Sequence, residues 1–160
     1  MLAYIQKVDQ HYVARFERQL KHSAPEIWAF LTENDKLALW FTELRVEDLR
    51  EGGLIKFDMQ NGTFVDMTIT ALHLHSSFEF TWAEDLVRFE LHPNSEGCLL
   101  VLKETIHKLT PHTPRDLAGW HVCLDVIQHL LDRKTMESRD DEWNKWYARY
   151  QEAILKLGSS

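Results

Sequence analysis

Nine histidines stand among 160 residues, and imidazole titrates near neutral pH. His121, Asp125 and His129 recur every four residues, so they form a strip along one side of a helix. A His/Asp/His strip is a ligand set for a transition metal. Each step also turns the strip by about 40° away from the apolar face. The expectation is therefore a solvated strip without a metal. His73 and His75 put two rings on one face of a strand or turn, with no third ligand at evident spacing. His92, His107 and His112 fall at strand ends or turns. Asp140 and Asp141 lie in a polar break and read as a solvated linker. Arg88 and Glu90 share a strand face. If wet, they form ion pairs worth under about 1 kcal/mol; if they line a cavity, they orient a ligand's polar end. An enzyme reading needs an ionisable group in such a cavity, from among His73, Arg88, Glu90 and Glu104.

Familiar catalytic patterns are missing. There is no Gly-x-Ser-x-Gly elbow, no His-Glu-x-x-His helix and no phosphate-cradling glycine loop, and the chain has only six Gly. No cofactor is expected, and the balance leans against an enzyme. Cys98 and Cys123 match no metal motif and sit in apolar patterns, so both are expected reduced and buried.

The aromatic residues are the more informative set. Six Trp and eight Phe are generous for this length. Trp120 lies near the centre of a helical apolar stripe that also holds Leu124. Phe78, Phe80, Trp82 and Phe89 occupy apolar strand faces, with Met67 and Ile69 on another. Trp28, Trp40 and Phe41 belong to two short helices. Plain core packing is the simplest use of each. A subset walling a cavity would suit a planar or lipid-like guest, with a Trp N–H as a polar handle. These eleven residues are the expected pocket walls.

The elements that position them follow from periodicity. Residues 1–11 carry no clear pattern and are expected as a loose arm. Val13 to Leu20 alternates as a strand. Ser23-Ala-Pro-Glu26 has the chemistry of a capping box, and a second short helix begins near Asn34 or Asp35. From Leu44 to His107 about six strands follow, with turns at Glu51-Gly-Gly53, Asn61-Gly62 and His92 to Gly97. Thr113-Pro114 starts a long helix, with Thr113 as cap, running to about Lys134. Trp143, Trp146, Tyr147, Tyr150, Ile154 and Leu157 stripe a final helix. The fold class is α+β: a curved antiparallel sheet of about six or seven strands covered by the long helix.

Composition limits the partners. A chain of this length buries about 70% of its unfolded surface, enough for one domain spanning 1–160, with its core at 12–157. The formal charge is −7 and no segment is strongly basic, which disfavours nucleic acid. No apolar run approaches a membrane span and the first residues do not resemble a signal peptide, so a cytoplasmic location is expected.

Several blocks carry a resemblance. AGWHVCLDVI (118–127) resembles the signature helix of the activator of heat-shock-protein-90 ATPase homologue-like family, in the START-like, or SRPBCC, superfamily. SAPEIWAFLTENDKLALWF (23–41), EFTW (79–82), VRFEL (87–91), EGCLLVLKET (96–105) and WNKWYARYQEAI (143–154) are similar to its other blocks in order. The match spans roughly 12–157. Many relatives carry prolines where this chain has His75-Ser-Ser77. The resemblance implies the helix-grip fold and a small hydrophobic or aromatic ligand between sheet and helix. It also implies two alternatives: a co-chaperone-like protein partner, or an enzyme acting on a hydrophobic substrate.

Overall fold

The computed structural model describes residues 2–158; Met1, Ser159 and Ser160, at the ends of the expected 1–160 unit, lie outside them. The order is β1 (Tyr4–Val8), β2 (His11–Leu20), α1 (Ala24–Thr32), α2 (Asn34–Trp40), β3 (Leu44–Asp48), β4 (Leu54–Asp58), β5 (Phe64–His73), β6 (Ser77–Trp82), β7 (Asp85–Asn94), β8 (Gly97–Ile106), α3 (Thr113–Leu131) and α4 (Arg139–Gly158). The strands form one antiparallel sheet in the order β1-β2-β8-β7-β6-β5-β4-β3. This is the expected α+β helix-grip arrangement, with α3 clasped by the sheet.

The eighth strand corrects the expected arm. β1 pairs with β2 through the backbone from Tyr4 to Val8, and Tyr4 itself is exposed. Its side chains show little periodicity because ladder bonds, not burial, hold this edge strand.

Alternation fixes the inward face elsewhere. Ala14, Phe16 and Leu20 of β2 are buried, as are Phe78 and Phe80 of β6, Val87, Phe89 and Leu91 of β7, and Cys98, Leu100 and Leu102 of β8. Glu104 continues the β8 series and is fully buried. β5 breaks its own alternation. The register shifts between Ile69 and Ala71, so Leu72 rather than Ala71 packs against the core. Val65 is exposed although it keeps step with the buried Met67 and Ile69. The turn predicted over His92 to Gly97 is shorter, since β7 runs on through Asn94. A Cβ on Gly97 would overlap the Leu20 carbonyl oxygen, so glycine permits this close approach.

α1 has the predicted capping box: the Glu26 N–H donates to Ser23 Oγ, and the Ser23 N–H to the Glu26 carboxylate. α3 differs at both ends. Thr113 is its first helical residue and His112 takes the cap position. The Thr113 hydroxyl accepts from the Thr110 N–H at 2.9 Å. The helix stops at Leu131, short of Lys134, where Arg133 adopts a left-handed conformation with φ 57°. Asp140 and Asp141 belong to the first turn of α4, not to a linker. Their carboxylates suit the positive end of that helix.

Candidate functional site

The N-terminal half of α3, the α2–β3 junction, the end of β6 and the start of α4 come together at one place. A cleft of ≈ 460 Å³ lies there. Phe41, Trp82, Trp120 and Trp143 give it aromatic walls, while Glu43, Arg115, Asp116, Arg139 and Asp140 supply mixed charge. The aromatic rings meet edge-on or tilted. Ring centroids of Trp82 and Trp120 are 5.0 Å apart, those of Phe41 and Trp120 5.5 Å, and those of Phe41 and Trp82 5.9 Å. Gly119 lies among the lining residues, and a Cβ there would meet nothing within 4 Å. Gly inside a helix costs roughly 0.5–1 kcal/mol relative to Ala. Here it leaves the helix backbone bare toward the cleft.

A second cleft of ≈ 420 Å³ lies on the other side of Trp82, against Asp85, Ile106 and Thr110. Trp82, His112 and Asp116 line both. The Trp82 Nε1–H donates to Asp116 Oδ1 at 2.9 Å, so one hydrogen bond stands where the clefts adjoin. Glu104 is next to Asp116. Burial, and then the Asp116 carboxylate, push its pKa well above the usual carboxylate value, which favours the protonated acid.

Of the eleven expected pocket residues, the structure brings Phe41, Trp82 and Trp120 to the cleft. Trp28, Trp40, Met67, Ile69, Phe78, Phe80, Phe89 and Leu124 belong to the buried core cluster. Trp28 packs against Phe78 and, edge-on, against His75 in the turn after β5. Trp40 donates to the Phe30 carbonyl at 2.7 Å and meets Phe89. Sequence reasoning did not single out Gly119, Arg139 or Trp143 for the site: a polar rim residue such as Arg139 has no periodic signature, and the spacing of α4 does not say that Trp143 reaches the cleft.

The remaining ionisable residues fall elsewhere. His121, expected in solvent, is 1% exposed. The correction has one cause: α4 covers this side of α3. Trp146 stacks on the imidazole at 3.8 Å, and Tyr150 Oη stands 2.7 Å from Nδ1. Burial, followed by the positive charge of Arg18, lowers the His121 pKa to about 3. The neutral tautomer that satisfies both neighbours has Nδ1 accepting from Tyr150 and Nε2–H facing Asp125, 3.5 Å away. Asp125 in turn accepts from Arg18 Nε at 2.9 Å. His129 Nδ1 is 2.7 Å from the Asp125 carbonyl oxygen. Arg88 and Glu90 share the outer sheet face with Glu79 and Lys103. Burial opposes ionisation of Glu90, but hydrogen bonds from Arg88, His92 and Lys103 outweigh it and hold the carboxyl at about 2. Both cysteines are free and buried. Burial pushes the Cys123 thiol up to about 12, so it is un-ionised despite the Arg139 guanidinium at 3.4 Å. Among the described residues, no three His, Cys, Asp or Glu side chains group as metal ligands, and no helix is long and apolar enough to cross a membrane.

A sheet clasping a long helix, with an aromatic cleft beside that helix, defines a START-like helix-grip protein. The chain belongs to the family described as Activator of Hsp90 ATPase homolog 1-like protein, whose model matches residues 21–132. A conserved protein of unknown function from Enterococcus faecalis is similar in structure, with a TM-score of 0.85 at 24% identity over 97% of this chain and 91% of that one. CalU16 from Micromonospora echinospora follows at 0.71 and 15% identity, with 93% of each chain covered. A Bordetella parapertussis protein gives 0.70 at 20% identity, over 91% of this chain and 87% of that one. At these identities the likeness is one of fold. No curated protein matches the chain.

Proposed function

We propose that this protein binds a small hydrophobic or aromatic molecule in the cleft beneath the N-terminal half of α3. The observation that carries the reading is the combination of aromatic walls with the bare helix backbone at Gly119. Removing apolar surface from water is worth about 25 cal/mol per Å². A bicyclic guest recovers enough of this to bind at micromolar level after its losses of freedom. Phe41, Trp82 and Trp120 contact the guest, and Arg115 and Arg139 stand at the mouth.

The test fills the space. Gly119→Phe places a ring in the cleft, whereas Gly119→Ala adds one methyl where nothing is met. In a fragment screen, aromatic hits should shift the indole N–H signals of Trp82 and Trp120 in the native protein. They should still do so in Gly119→Ala but not in Gly119→Phe. Hits that shift only outer-sheet residues would remove the reading.

A further inference from the structure

Among the described residues, four buried side-chain atoms lack a hydrogen bond of regular geometry: Arg18 Nη2, both Glu104 carboxyl oxygens and Trp120 Nε1. Arg18 is otherwise engaged, through Nε to Asp125 and Nη1 to the Glu17 carbonyl. Trp120 is not, and Glu104 has only a loose side-chain contact with Asp116. An unmet buried polar group costs about 1–3 kcal/mol. Both stand around the Trp82–Asp116 bond. Trp120 packs against Trp82 and lines the larger cleft. Glu104 is fully buried on β8, the carboxylate that acts on it most strongly is Asp116, and Asp116 lines both clefts.

We propose that Glu104, Asp116 and the Trp120 N–H form the polar end of the site and receive the hydroxyl group of an uncharged aromatic guest. This rests on the ligand-binding reading above and names the guest's chemistry. The ring lies against Phe41, Trp82 and Trp120, and the hydroxyl enters between Trp82 and Asp116. Its proton is donated to Asp116 in place of the Trp82 N–H. Its oxygen offers two lone pairs, one to the Trp120 N–H and one to the Glu104 carboxyl proton, which leaves its loose contact with Asp116 for the guest. A bare hydrocarbon leaves these groups unmet. A carboxylate guest sets a third acid beside two and is disfavoured, despite the arginines at the mouth.

Naphthol, naphthalene and naphthoate share one frame and serve as probes. Calorimetric titration of the native protein should show naphthol binding about tenfold tighter than naphthalene, the effect of one satisfied buried hydrogen bond, with naphthoate weakest. In Glu104→Leu the naphthol preference should fall to about twofold or less while naphthalene affinity persists. Glu104→Gln keeps a donor and should retain most of the preference. Circular dichroism and the Trp120 indole signal report whether each variant folds; if Glu104→Leu does not, Asp116→Ala gives the same comparison. Equal affinity for naphthol and naphthalene, tightest binding by naphthoate, or a preference undiminished in Glu104→Leu would overturn the inference and leave the cleft a plain apolar binder. A failure of all three probes to move the Trp82 and Trp120 signals would overturn the ligand reading too. In a crystal of the free protein, an ordered water on Glu104 that naphthol displaces supports the proposal. A water that stays in place beneath bound naphthol refutes it.

Discussion

Trp82 and Asp116 come from the end of a strand and the first turn of α3, and their 2.9 Å hydrogen bond joins sheet to helix where the two clefts adjoin. Trp82→Phe removes the donor together with the part of the indole that packs against Phe41 and Trp120. It should lower stability by at least about 1 kcal/mol, the net worth of an ordinary hydrogen bond, with the lost packing added to it. Urea unfolding measures this. No change in midpoint would mean that water replaces the indole without loss.

Glu104 makes the fold sensitive to alkali. Its folded pKa is raised, first by burial and then by Asp116, so the native state keeps a proton that the unfolded chain releases above its ordinary value near 4.5. Its contribution is intact below that value and is lost as pH rises. Glu104→Gln, similar in shape and never charged, should gain on the native protein steadily from about pH 4 upward. A stability difference that stays level across pH would show that Glu104 ionises normally in the fold.

His121 acts with the opposite sense. Its pKa falls from 6.5 to about 3 on folding, so the unfolded chain takes up a proton that the native state refuses. The contribution is present above pH 6.5 and disappears as pH falls toward 3, at up to about 1.4 kcal/mol per pH unit. His121→Phe should flatten that part of the stability curve. NMR titration offers a direct reading: the His121 ring signal should not move between neutrality and pH 5.

Tyr150 joins three elements. Its hydroxyl accepts from the Ala3 N–H at 2.9 Å and stands 2.7 Å from His121 Nδ1. Tyr150→Phe leaves both partners short and should cost about 1–3 kcal/mol. Hydrogen exchange should quicken in β1 more than in β8. Uniform quickening would mean that the hydroxyl contributes only to the general core.

Strands β2 to β8, both short helices and the two long helices are legible in the residues because each alternates or carries an apolar stripe; β1 is not, since ladder bonds rather than burial hold it. His121 is not. Its displacement from the stripe of Leu117, Trp120 and Leu124 reads as exposure only if α3 has one covered side. It has two, and the second cover is Trp146 and Tyr150 of α4. The stripe of α4 carried that information, but nothing in its spacing says where it lands. The bulge between Ile69 and Ala71 hides for a related reason: it reverses the faces of β5 without changing its composition. The aromatic walls were visible as residue types. The division between three that meet the cleft and eight that pack inside depends on where the helix ends and where Gly119 leaves backbone uncovered.

The contact between Ala3 and Tyr150 spans 147 positions. During synthesis the donor is therefore made long before its acceptor exists. β1 can zip onto β2 early, but only as a loose hem until α4 swings in. The seam between this edge of the sheet and α4 is stitched late, however early the strand itself is laid down.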